Sequence, residues 1–65
     1  MTIEQYLLAC LAEECAEIIQ SVNKALRFGL DNHHPDREET NLQEITKELQ
    51  DLLGVAELLT EHGVD

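Results

Sequence analysis

The chain predicts an all-α fold, an antiparallel helical hairpin that associates into a four-helix bundle. Three observations predict it: two long stretches with helical apolar spacing, one turn-rich segment between them, and no β-type alternation. In the first stretch Leu7, Leu11, Cys15, Ile18, Ile19, Val22, Ala25 and Leu26 fill one arc at about 100° per residue. Thr2, with Gln5 three residues on, has the form of a capping box, so this helix should run from Ile3 to about Phe28. Gly29 can end it in the left-handed C′ position, with Leu30 behind it as the hydrophobic contact.

From Gly29 to Arg37 the residues have turn chemistry and no periodicity, which makes this segment the loop. A second helix over about 38–62 carries the arc Leu42, Ile45, Leu49, Leu52, Leu53, Ala56 and Leu59. Asp36 with Glu39, or Asn41 with Glu44, could cap it, which leaves its start anywhere from 36 to 41. His62 and Gly63 supply a cation in the last turn and a C′ residue. The single domain is expected to fill 1–65.

Each arc is wider than one neighbouring helix can cover, and a chain of 65 residues buries only about 60% of its unfolded surface. A homodimer or homotetramer of hairpins is the expected remedy. Fourteen acids against four bases give a formal charge of −10. That balance argues against nucleic acid and against an anionic membrane as partners. No apolar run reaches the roughly 18 residues of a spanning helix, and no basic segment resembling a signal peptide opens the chain, so a cytoplasmic location is expected. Cys10 and Cys15, five apart on one helix, lie beyond the ~7 Å Cα separation a disulfide tolerates and are read as reduced, partly buried thiols.

The acids carry the chemistry. Glu14 and Glu17 lie along one edge of the first arc, and Glu48 and Asp51 flank the second with the same rotational sense. In an antiparallel hairpin with apolar faces in contact, equal rotational sense brings both stripes out on the same side, so four carboxylates converge. Mg²⁺ takes oxygen ligands in octahedral geometry, typically a few carboxylates with water and substrate phosphate, and two E-x-x-[ED] pairs on neighbouring helices suit it. A solvated acidic face is the plain alternative. It wins for either pair alone and loses to metal binding for two pairs placed this way.

The stretches LAEECAE (11–17), KALRFG (24–29) and ELQDLL (48–53) resemble the MazG-like all-α nucleoside triphosphate pyrophosphatases, particularly the small phage and bacterial type. The likeness covers about residues 7–59. It implies Mg²⁺, with Mn²⁺ as a substitute, bound by Glu14, Glu17, Glu48 and Asp51. It also implies hydrolysis of a nucleoside triphosphate between the α and β phosphates, to the monophosphate and pyrophosphate. Lys24, Arg27 and Asn41 stand where similar sequences carry K, R and N, which implies substrate binding. Members of the family usually continue into at least one more helix, whose contribution a partner subunit would have to supply here.

From the residues themselves, Lys24 shares the acid stripe, with Ser21 between it and Glu17, and reads equally as a phosphate ligand or as a surface lysine near a helix C-terminus. Arg27 lies away from that stripe, and Glu13, the nearest extra acid, points farther toward solvent than Glu14. No residue is singled out as the catalytic base. His33 and His34 are adjacent on a turn rather than spaced for one metal, so they read as solvated. Tyr6 and Phe28 are expected to pack in the core or an interface, and Gly54 either admits a neighbouring helix or is simply exposed. The competing function is a non-enzymatic acidic helical oligomerisation module, or a degenerate fragment of such an enzyme, in which the carboxylates form only a solvated rim.

Overall fold

A computed structural model describes residues 1–63 and consists of two packed helices, α1 (Ile3–Phe28) and α2 (Asn41–Glu61). The final two residues of the expected domain lie outside the described residues. Cross-helix pairs fix the direction: Ser21 meets Glu48, Lys24 meets Glu44, and Gly29 meets Asn41. Residue numbers rise on one helix as they fall on the other, so the hairpin is antiparallel. A helix of 26 residues is about 39 Å long at 1.5 Å per residue, which accounts for the 40 Å long axis.

Both helices start on the same device. Thr2 accepts from the Gln5 amide at 3.1 Å while the Gln5 side chain accepts from the Thr2 amide at 2.8 Å. Thr40 and Gln43 repeat it at 3.1 and 2.9 Å. The second box corrects the expected start of α2. Neither Asp36 nor Asn41 is the cap, and the loop extends over 29–40 rather than ending at Arg37. Two reciprocal hydrogen bonds at Thr40 satisfy orphan amides that Asp36, farther up the loop, does not reach.

The helix ends also differ in detail from expectation. Gly29 has φ 99°, which favours glycine, but ψ is 147° rather than a left-handed helical value. Its amide still donates to Ala25 O at 2.8 Å, and the chain then turns at Leu30 and Asp31 with Leu30 exposed rather than packed back on the helix. At the other end His62 caps α2 from outside the last turn, and Gly63 follows at φ 81° with its amide on Thr60 O.

The contact between the helices runs along a narrow seam. Leu7, Ala25 and Leu59 are its buried apolar side chains, with Leu11, Ile18, Ile45, Leu52 and Val55 half-buried beside them. Buried Ser21 and Asn41 sit on the same seam. The remaining members of the predicted arcs are not covered: Ile19 is 61% exposed, Leu26 78% and Leu53 67%, and Cys15, Val22, Leu42, Leu49 and Ala56 are exposed with them, as is Leu8 beside the first arc. At about 100° per residue these side chains all lie on one side of the seam and the acids on the other. The hairpin therefore has an apolar edge and an acidic edge.

A compact monomer of 7.4 kDa exposes about 4,200 Å². This chain exposes 4924 Å². Gly54 lies on neither edge, and a Cβ there would meet nothing within 4 Å. Cys10 is half-buried and Cys15 exposed, and both are free, so only Cys10 matches the expected partly buried thiol. Tyr6 and Phe28 are exposed rather than in the core. No described helix is long and apolar enough to cross a membrane.

Candidate functional site

Helical spacing places Glu14, Ser21 and Lys24 on the acidic side of α1, and Asn41, Glu44, Glu48 and Asp51 on the matching side of α2. The expectation had Glu14 and Glu48 at the rim of the core. The structure draws both onto the seam, half-buried, and leaves Glu17 and Asp51 at the open edge. Glu48 accepts from the Ser21 hydroxyl at 2.7 Å through one oxygen. Its other oxygen, and Oε2 of Glu14, are buried without a hydrogen-bond partner.

Burial, then the charges of Glu17, Asp51 and Glu48, with Glu13 last, raise the proton affinity of Glu14 above the ordinary carboxylate value. Those three neighbours show that the four acids do share one region. They have not closed on one point: among the described residues no group of three or more His, Cys, Asp or Glu side chains is arranged to hold a metal ion. The donor set nevertheless fits a hard cation, since two buried carboxylate oxygens lack any other partner and two more carboxylates stand beside them. Glu13 is exposed on the outer side, as expected.

Farther toward the loop the acid edge is neutralised from within. Glu44, only 17% exposed, takes Lys24 Nζ at 3.2 Å and Arg37 Nη1 at 2.9 Å. Lys24 is thus neither free at the surface nor held by the helix end alone. From sequence Glu44 enters only as a capping partner of Asn41, although it lies one turn before Glu48 and so on the same stripe. Arg37 reaches Glu44 from the loop, outside either helical period. With Glu17, Glu39, Lys47, Glu48 and Asp51, this pair lines an open groove of about 460 Å³ along the acidic edge.

The other two residues singled out for substrate are placed differently. Asn41 is buried; its amide donates to Asn32 O at 2.7 Å and its side chain to Gly29 O at 2.9 Å, so it ties the loop to the end of α1. Arg27 is exposed on the far side of α1, where its guanidinium lies 5.5 Å over the Phe28 ring. The structure brings Lys24 to the acid edge and does not bring Arg27 there. In comparisons with family models, curated proteins and solved structures, none matches the chain.

Proposed function

We propose that the chain is a MazG-like nucleotide pyrophosphatase, converting a nucleoside triphosphate and water to the monophosphate and pyrophosphate. The observation that carries this reading is the pair of buried, unpartnered oxygens on Glu14 and Glu48, with Glu17 and Asp51 beside them. Burying a carboxylate oxygen without a donor is costly, and like charges nearby add to the cost. A divalent cation held by Glu14, Glu17, Glu48 and Asp51 removes both penalties. Mg²⁺, or Mn²⁺ in its place, supplies charge stabilisation at phosphate oxygens when bound.

The chain's own groups do the rest. Ser21 holds Glu48 by one oxygen and so fixes which oxygen is left for the cation. Lys24 and Arg37, tethered to Glu44 at the end of the same groove, can transfer their hydrogen bonds to phosphate. The exposed edge of Ile19, Leu26, Leu42 and Leu53 would be covered by a second hairpin, giving a four-helix bundle as a homodimer or a larger even assembly.

The test is a pyrophosphate-release screen across nucleoside triphosphates with Mg²⁺ and with Mn²⁺, alongside melting with each metal alone. Metal-dependent release together with a metal-dependent rise in Tm is the expected result. No release and no metal effect on melting would leave an acidic helical interaction module.

A further inference from the structure

A second groove of about 330 Å³ lies at the loop end of the hairpin, lined by Lys24, Phe28, His33, His34 and Pro35 together with Asn32 and Asn41. Its lining contains no carboxylate, in a chain with 14 acids and 4 bases. The neighbouring acid-edge groove is lined by five carboxylates. The two meet at one ion pair: Lys24 lines the loop groove, Glu44 lines the acid groove, and they stand 3.2 Å apart. A ligand with a charged end and a neutral aromatic end would match both grooves at once.

We propose that the loop groove takes the base of the nucleotide whose phosphates occupy the acid edge, with Phe28 as its stacking surface and the His33–His34 pair as its polar edge. This rests on the function proposed above. The Arg27 guanidinium covers one face of Phe28 at 5.5 Å, which leaves the opposite ring face for a second planar group. Arg27, distant from the acid edge, thereby acts on the ligand only through Phe28.

The two imidazoles are held in complementary forms by the loop. His33 Nδ1 lies 2.9 Å from His34 O, a carbonyl that can only accept, so Nδ1 carries the proton and neutral His33 has Nε2 as an acceptor. The Asp36 amide donates to His34 Nδ1 at 3.2 Å, so in neutral His34 Nε2 carries the proton and donates. The 3.7 Å approach of the Asp36 carboxylate to that same nitrogen is then not an ion pair, because the nitrogen is already accepting. One donor and one acceptor side by side suit the edge of a nucleobase, which presents the same alternation. The volume is within the range of small-molecule sites.

The experiment is an amide chemical-shift titration of the full chain with Mg²⁺ and, separately, tripolyphosphate, each of the four common nucleoside triphosphates, and the four nucleosides. Tripolyphosphate should move residues along the acid edge only, and at least one triphosphate should also move Phe28, His33 and His34. Phe28→Ala and His34→Ala, both at exposed positions, should weaken that triphosphate about tenfold and leave tripolyphosphate unchanged. If triphosphates and tripolyphosphate move the same residues, and neither variant discriminates between them, the base does not use this groove and the acid-edge reading alone survives. A nucleoside that moves the loop while nothing moves the acid edge would uphold the groove and remove the pyrophosphatase reading. No response to any of these ligands overturns both.

Discussion

The same two helices build two edges of opposite character, and each is incomplete in its own way. Along the apolar edge, Ile19, Leu26 and Leu53 have nothing against them. Along the acidic edge two of the carboxylates have found partners inside the chain: Glu44 has Lys24 and Arg37, and Glu48 has Ser21. Only at the centre, on Glu14 and Glu48, do two buried oxygens stay unmatched. The contrast teaches that a hairpin of this size satisfies polar groups locally, through a few well-placed hydrogen bonds, but cannot satisfy apolar area locally. Under the function proposed above, a second hairpin would supply the missing surface and a cation the missing partner of the two oxygens.

The apolar edge offers the largest effect with which to break this comparison. Charging it with Ile19→Glu and Leu53→Glu together should abolish assembly, since burial of each such side chain is worth about 1.5–3 kcal/mol. Sedimentation of the parent at micromolar concentration should show a dimer or larger, and the double variant should lose both that species and most of its helical circular dichroism. A parent that sediments as a compact, helical monomer would show that the seam suffices alone and that the exposed edge is only surface.

Next in size is the acid edge. Glu17→Gln, at an exposed position that leaves the seam intact, should lower pyrophosphate release by at least ~10²-fold, a barrier increase of about 2.7 kcal/mol. Glu57→Gln, exposed on the outer side of α2, should retain parental rates. Equal activity in the two variants would detach the chemistry from the four acids.

Two carboxylates on the acidic edge should then move stability in opposite directions. Glu44→Gln removes the partner of two cations, one of them mostly buried, and should cost about 1.5 kcal/mol, a fall in Tm of roughly 6–12 °C. Glu14→Gln removes a charge repelled by its neighbours, so in chelator it should melt higher than the parent. With Mg²⁺ that order should narrow or reverse, as the parent gains RT ln(1 + [Mg]/Kd) and the variant loses much of it. Shifts of the same sign in chelator would erase the distinction between the paired and unpaired parts of the edge.

The two helices and the Thr2 cap were legible because period and capping chemistry are local. Legible too was the shared side of Glu14, Glu17, Glu48 and Asp51, since rotational sense follows from spacing alone. The true start of α2 was written equally plainly in Thr40 and Gln43, but Asp36–Glu39 and Asn41–Glu44 offered similar patterns a few residues away. Spacing alone could not show that only part of each arc would meet the other helix. The seam that forms carries polar groups as well, Ser21 bonded to Glu48 and Asn41 to Gly29, and apolar spacing does not report those. The Lys24–Glu44–Arg37 cluster was hidden for a related reason: its members come from both helices and the loop, and their meeting depends on register.

The smallest effect is a slope with pH, and its sign is diagnostic. Glu14 has its pKa raised in the folded chain, first by burial and then by Glu17, Asp51 and Glu48, so the folded state takes up this proton before the unfolded state does. Folding is therefore favoured as pH falls: in chelator the stabilisation begins as pH drops through the raised pKa and is complete below the ordinary value of 4.5. Over that window the parent should gain stability relative to Glu14→Gln, whose side chain cannot titrate, and the two melting curves should converge on acidification. Saturating Mg²⁺ should reverse the trend for the parent, because protonation then competes with a bound cation. Measuring Tm of both proteins across pH 7 to 4, with chelator and with Mg²⁺, gives four curves. A constant gap between parent and variant at every pH in chelator would mean that Glu14 is solvated like any surface acid, and the acidic edge would then differ from the apolar one only in polarity.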